Sequence, residues 1–458
     1  MSAVTDGARD PYARFWEQLA EVRLRNPLTN FLVAPDEATP GSGIPPSYVY
    51  EANTMLAREA DMHRILPHAR ARVDDSRVPG LRKLTVENGS HIPTEVGRLN
   101  AAAQRDEPAG QRRSMVTPNH LVSIAPVNLC PAGEPRPVPP VTPLWPEPQP
   151  TMTGEGISVF VIDTGFQEDF AKGHPTLEDV SVLPDEEPKM PVDPDGLIRE
   201  YAGHGTFITA VLRSAAAGVK VTVSSALQNA GAILEEDLGG LILSRLEDVA
   251  GGPGKPWPHI ISLSAGATSL DNQELMGLAP LLDRLATDQR GTVLIAAAGN
   301  DGTNQNLFWP AASAPGHPGV ISVGALRRDG RGRACFSNHG DWVRVFTYGE
   351  DVINLFRPGQ YAYQHDSYAA CRYRNPPLYP CCGCVTPATH KGDVVTFDGL
   401  AQWSGTSFAT PLVAGMVAAH MTRIGETSDA RRAAADLLDR YAGTIRDEAD
   451  QEVLRVLR

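Results

Sequence analysis

Two spacings of apolar residues divide the chain. Beyond residue 150, short and nearly continuous apolar runs alternate with longer stretches that are apolar every three or four residues. The runs ISVFVID (157–163), KVTVSSA (220–226), HIISLSAG (259–266), GTVLIAAAG (291–299), GVISVGAL (319–326) and WVRVFTYG (342–349) are bounded by turn residues. They read as strands covered on both faces. HGTFITAVLRSAAAG (204–218), LEEDLGGLILSRLEDVA (234–250), LMGLAPLLDRLATDQ (275–289) and SFATPLVAGMVAAHMTRIG (407–425) read as helices. The alternation predicts an α/β unit over 151–458, a mostly parallel sheet with helices on both faces. Ahead of it, DPYARFWEQLAEVRL (10–24) and YVYEANTMLAREADMHRIL (48–66) carry helical spacing. LRKLTVE (81–87) and NHLVSIAPV (119–127) read as short strands. Residues 1–129 are therefore expected to form a smaller α+β unit. In 130–150 proline recurs at nearly every second position, which favours polyproline II and predicts a semi-rigid linker.

Composition narrows the function. The 458 residues are 42% apolar, enough for a sizeable core in two units. No stretch approaches the ~20 apolar residues of a membrane-spanning helix. A net charge of −13 disfavours nucleic acid and anionic membranes as partners. The two short basic clusters, ARARVDD and RDGRGR, read as solvated faces. The N-terminus lacks a basic start followed by an apolar core, so a cytoplasmic location is expected, with secretion by another route as the alternative.

Three motifs stand where strands end or helices begin. ISVFVIDTG ends a strand in Asp163, GHGTFITAV opens a helix at His204, and SGTSFATPLVAG opens another at Ser407. In open parallel sheets, sites form at the carboxyl ends of strands, so these distant positions can converge. A serine hydroxyl is a poor nucleophile at neutral pH and needs an adjacent base. His204 suits that task, and Asp163 suits the task of holding the imidazole's tautomer and stabilising its cation. Taken singly, Ser407 also reads as a helix N-cap and Asp163 as a strand-end turn residue. GTVLIAAAGNDG ends a strand in Gly299 and Asn300, whose amide can donate to a tetrahedral oxyanion or merely make a turn.

The order Asp, His, Asn, Ser in DTG, HGT, AAAGN and GTSFATP resembles the subtilase family of serine peptidases. HPTL (174–177), WPAASAPGHPGVISVGAL and RACFSNHGDWVRVFTYGEDVINL extend the resemblance over about 154–425. It implies a triad of Asp163, His204 and Ser407 with Asn300 in the oxyanion hole. It also implies that Ser264, Ala265 and Gly266 pair with the substrate backbone, by addition of an extended peptide to a strand edge. Ala297, Ala298 and Gly299 match one wall of the primary specificity pocket, and Gly231 to Ile233 loosely match a second binding strand. No cofactor is required by this chemistry. Family members often hold structural calcium, but their ligands do not map onto this chain, and the acidic loop before His204 lacks EF-hand spacing.

Two regions depart from the family pattern. An insertion at about 357–398 carries Cys371, Cys381, Cys382 and Cys384. Disulfides, a metal site and free thiols all remain open for it; C-C-x-C is poor zinc spacing, and disulfides need an oxidising compartment. Cys130 and Cys335 read as free. The N-terminal unit reads as an inhibitory prodomain, a partner-binding domain or a structural appendage. The expected function is a serine endopeptidase that acts on polypeptides by regulated limited proteolysis, with a zymogen form under the prodomain reading. The alternative is a catalytically silent member that binds extended peptides.

Overall fold

The computed structural model describes residues 12–458 apart from 88, 106, 109–112, 125–132, 150–152, 184–191, 228–229, 365–388 and 448–451. Cys130 and the four cysteines of the insertion lie outside the described residues.

The N-terminal unit runs α1 (Ala13–Arg25), β1 (Phe31–Ala34), β2 (Tyr48–Arg58), α2 (Met62–Ile65), β3 (Ala71–Asp75), β4 (Leu81–Val86), α3 (Ile92–Ala103) and β5 (Val116–Ser123). Its antiparallel sheet has the order β5-β2-β4-β3, with β1 paired to the first residues of β2. From β2 onward this is a β-α-β-β-α-β unit. One face is covered by α3, whose Ile92, Val96 and Leu99 pack on Met55, Leu84 and Val116. Residues 48–66, expected to be a helix, are instead the long strand β2 and the single turn α2. Residues on both faces of β2 are buried, so its apolar positions lose the period of two and imitate a helix. The strand also bulges at Asn53 (φ +60), between Tyr50 and Met55, which breaks the alternation again.

The C-terminal unit contains β6 (Arg136–Pro137), β7 (Ser158–Ile162), α4 (Glu168–Ala171), β8 (Ser181–Val182), α5 (His204–Ala215), β9 (Lys220–Ser224), β10 (Ala232–Leu234), α6 (Glu235–Ala250), β11 (Ile260–Leu263), α7 (Ala279–Ala286), β12 (Val293–Ala297), β13 (Val320–Leu326) and β14 (Val345–Tyr348). It continues with β15 (Val352–Leu355), β16 (Gly359–Ala362), β17 (Val394–Phe397), β18 (Leu400–Trp403), α8 (Thr406–Ile424), α9 (Ala430–Tyr441), β19 (Gly443–Arg446) and β20 (Val453–Val456). The main sheet has the order β19-β20-β14-β13-β12-β11-β7-β9-β8 and is parallel except for the β19–β20 pair. The six apolar runs supply its six central strands. After β7 the chain goes to β9 on one side and later returns to β11 on the other. The carboxyl ends of β7 and β11 thus flank a topological switch point, where α/β sheets place their ligands.

Helix α8 lies across this sheet and is apolar nearly all round, as a fully buried helix must be. It crosses α5 at Gly415, where a Cβ would stand 2.6 Å from Leu212 O and 2.7 Å from Ala215 Cβ. That close crossing brings together the N-termini of the two helices that begin at His204 and just before Ser407.

The described part of 130–150 is extended and bonded to the C-terminal unit. Arg136 and Pro137 pair with β18, and the backbone of Trp145 exchanges two 2.9 Å hydrogen bonds with Ile353. Trp403 Nε1 donates to Gly133 O at 2.9 Å. β16 and β17 form a hairpin at the base of the insertion.

Candidate active site

Asp163 follows the last residue of β7 and His204 opens α5. His204 Nδ1 donates to Asp163 Oδ1 at 2.8 Å and lies 3.0 Å from Oδ2, with both side chains buried. Gly205 makes the approach possible. A Cβ there would lie 2.2 Å from Gly165 O and 3.1 Å from Asp163 Oδ1. Thr164 adds a backbone N–H to Asp163 Oδ1 (2.7 Å), while its hydroxyl donates to Tyr201 O (2.8 Å). A donor on Nδ1 leaves Nε2 as the basic nitrogen. The imidazole is boxed by Trp403 and Phe408, whose rings stand 5.2 and 5.3 Å away.

Ser407 is the second residue of α8 and is buried. Pro411 has no N–H for the carbonyl four residues back, which is that of Ser407. This carbonyl instead accepts from Ser264 Oγ at 3.0 Å, tying the residue after β11 to the start of α8. The hydroxyl of Ser407 donates to Ser264 O over a long 3.4 Å.

Asn300 follows β12 and is buried. Its Oδ1 accepts from Thr406 N and Thr406 Oγ1, both at 2.9 Å, which fixes the orientation of the amide, with Nδ2 as its donor end. A Cβ built on Gly405 would stand 3.6 Å from both Asn300 Nδ2 and Ser407 N. Because residue 405 is glycine, that space is open between two donors at the positive end of α8. Gly299 has φ +95, and a Cβ there would meet Asn338 Nδ2 at 2.5 Å. Asn338 donates to Ala298 O (2.9 Å) and accepts from Asp301 N (3.0 Å) and Thr303 N (3.2 Å), holding the loop that carries Asn300.

The cleft beside these groups is filled by the chain's own N-terminal unit. Ser123 and Gly266 exchange two backbone hydrogen bonds of 3.0 Å each. On the other side, β5 pairs with β10, Val122 opposite Ile233, and Ile124 N donates to Gly231 O at 2.8 Å. Residues 122–124 are thus an extended segment between the strands at 231–233 and 264–266. The segment is antiparallel to 264–266, so from Ser123 to Ile124 it advances toward Ser264 and Ser407. The loosely matched strand at Gly231 to Ile233 and the closely matched Ser264 to Gly266 are its two walls. Ala265, Ala297 and Ala298 are buried beside them.

The residue-by-residue match has a counterpart in the whole chain: the model of the subtilase family matches residues 154–438. The chain belongs to the subtilase family. Two similar proteins are a thermophilic serine proteinase of Bacillus sp. strain AK1 and subtilisin-like protease 3 of Pseudogymnoascus destructans. The first is 29% identical over 34% of this chain and 27% of its own length. The second is 29% identical over 45% of this chain and 47% of its own. The chain therefore spans half or less of the length of these relatives. Among solved structures, fervidolysin from Fervidobacterium pennivorans, a keratinolytic enzyme related to subtilisin, matches with a TM-score of 0.52. The match has 18% identity and covers 89% of this chain and 60% of that one, a likeness of fold.

In this subtilase the N-terminal unit docks on the start of α6. The buried Glu235 carboxylate accepts from His120 N (2.9 Å), His120 Nδ1 (2.6 Å) and Gly277 N (2.7 Å). His120 Nε2 in turn accepts from Leu270 N at 3.2 Å. Lys83 pairs with Glu236 at 3.1 Å; burial opposes its charge, but Glu51 and Glu236 hold its pKa above the usual lysine value. Outside the dock, α1 packs over β5 and β10 through Leu19 and Val22, which touch Leu121, Ala232 and Leu234. Gln18 Nε2 reaches Ile124 O at 3.4 Å, and Glu17 pairs with Lys391 beside the insertion hairpin at 2.9 Å.

Sequence reasoning assigned no role to Thr164, Tyr201, Asn338 or Thr406. Thr164 and Thr406 sit inside the DTG and GTS motifs that were read for their neighbours, and Asn338 lies in the matched RACFSNHG stretch. His259 and His317 hold structure: His259 bonds Ser158 and Thr427 O, and His317 bonds Leu282 O and Gly319 N. Among the described residues no cluster of three His, Cys, Asp or Glu side chains could hold a metal ion.

Proposed function

We propose that the chain is a serine endopeptidase whose own residues 122–124 occupy the substrate cleft until the N-terminal unit leaves. The observation that carries this reading is the antiparallel pairing of Ser123 with Gly266, which feeds an extended backbone toward Ser407 as a substrate would be fed. In the reaction, Ser407 Oγ attacks the scissile carbonyl and passes its proton to His204 Nε2. The negative oxygen develops in the space above Gly405, facing Asn300 Nδ2 and Ser407 N. The C–N bond then breaks, and the proton on His204 goes to the departing amine. Water then attacks the acyl ester and gives a proton to His204; the ester C–O bond breaks, and His204 returns that proton to Ser407 Oγ. Asp163 holds the tautomer and stabilises the imidazolium throughout. An enzyme stoppered by its own strand suits regulated limited proteolysis.

The alternative, a silent peptide-binding protein, draws on the Ser407 hydroxyl being bonded to Ser264 O in this state. A fluorophosphonate probe separates the two. The peptidase reading expects slow labelling of the full chain that disappears in Ser407→Ala. A correctly folded chain that stays unlabelled even when its N-terminal unit is loosened by substitution supports the binder.

A further inference from the structure

Along the segment in the cleft, side chains alternate between two faces. Val122 and Ile124 point the same way, and both are almost wholly buried in the core cluster of the C-terminal unit. Leu121 belongs instead to the layer beneath α1. The deeper end of the segment is thus read through branched aliphatic side chains spaced two apart.

What surrounds Ile124 is set by two residues with positive φ. Its N–H is bonded to Gly231 O at 2.8 Å, and Gly231 has φ +69. A Cβ on Gly231 would stand 3.2 Å from Tyr201 Cδ2, 3.3 Å from Ile124 Cδ1 and 3.5 Å from Ile124 Cβ. The missing Cβ is therefore the space that the tyrosine ring and the isoleucine side chain share. Tyr201 is itself held at φ +62, an outlying conformation for a bulky residue. Its carbonyl accepts from His204 N (2.9 Å) and Thr164 Oγ1 (2.8 Å), and its ring lies edge-on to the imidazole with centroids 6.1 Å apart. The backbone that fixes the start of α5 thereby also fixes where this ring stands.

We infer that Tyr201 is a specificity-determining residue. With Gly231 it forms an apolar subsite for a β-branched aliphatic side chain on the substrate residue whose N–H bonds Gly231 O. The substrates are extended peptides with an aliphatic residue at that position and another two residues before it. This inference rests on the reading of the cleft as a peptidase site.

The test is a double-mutant cycle in the full chain, read as the rate at which a fluorophosphonate labels Ser407. Ile124→Ala is expected to speed labelling at least about tenfold, because the apolar side chain that holds the segment is lost. In a Tyr201→Asn background, which tolerates the left-handed conformation, the same change should matter less than about threefold, and Tyr201→Phe should restore the full effect. Quenched peptides cleaved by the Ile124→Asp chain should favour Ile over Ala at this position by about tenfold or more, and Tyr201→Asn should flatten that preference. Labelling in which the substitutions act independently, or cleavage indifferent to the residue at this position, overturns the role of Tyr201 and leaves the peptidase standing. No labelling in any variant overturns the peptidase reading and this inference with it.

Discussion

The docking of the N-terminal unit can be challenged at one side chain. His120 is buried, and its ring makes two bonds to the C-terminal unit: Nδ1–H to the Glu235 carboxylate at 2.6 Å and Nε2 from Leu270 N at 3.2 Å. His120→Ala removes both and leaves the C-terminal unit's sequence untouched. A hydrogen bond to a buried charge contributes about 1.5–3 kcal/mol, and a neutral one about 0.5–1.5 kcal/mol. The dock should therefore weaken by about 2–4.5 kcal/mol. At about 1.4 kcal/mol per factor of ten, the fraction of time the cleft stands open rises roughly 30- to 1,500-fold. The assay is the rate of fluorophosphonate labelling of Ser407 in the intact chain, beside Lys391→Ala as a control. That control breaks the exposed Lys391–Glu17 pair, which contributes about 0–1 kcal/mol. A folded His120→Ala protein that labels at the wild-type rate refutes the argument, because opening of the dock would then not limit access to Ser407. A wild-type chain that labels as fast as the variant refutes it equally, since the segment at 122–124 would not be a stopper.

Four further outcomes follow from the same geometry. Asn300→Ala, placed in the chain opened by His120→Ala, should lower turnover by about 10²–10³ with little change in KM; that magnitude comes from subtilisin itself, and an unchanged turnover would remove the amide from the oxyanion site. Gly205→Ala should cost most of the activity and lower the melting temperature, since its Cβ would lie 2.2 Å from Gly165 O and push α5 away from Asp163. Leu19→Asp puts a carboxylate against Leu121, Ala232 and Leu234, so labelling of Ser407 should accelerate; an unaltered rate would show that α1 does not hold the segment down. Intact masses of wild type and Ser407→Ala should differ by loss of an N-terminal fragment that ends just beyond Ile124, where the chain advances on Ser407; a cut inside the proline-rich stretch would contradict that path.

What could be read in the sequence and what could not divide along a physical line. The six central strands and the helices at His204 and Ser407 are buried on all sides. Their apolar runs report that burial directly, and the motifs at their ends mark where β7, α5, β12 and α8 stop or start. Those signals are local, and they pick out Asp163, His204, Asn300 and Ser407 as candidates at the ends of those elements. β2 fails the same reading for the opposite reason: burial of both faces and the bulge at Asn53 erase the period of two, so YVYEANTMLAR imitates a helix. The dock is invisible for a different reason. His120 and Glu235 lie 115 residues apart, and neither stands in a motif; a buried hydrogen-bonded pair leaves no periodicity to find. Tyr201 combines both difficulties. It stands three residues ahead of His204, yet what sets its place is a left-handed turn and the absent Cβ of Gly231, and neither shows in composition or spacing. The same holds for the N-terminal unit as a whole. Sequence left it as prodomain, partner-binding domain or appendage; where its last strand lies depends on long-range pairing with Gly266 and Gly231, which composition and spacing do not report.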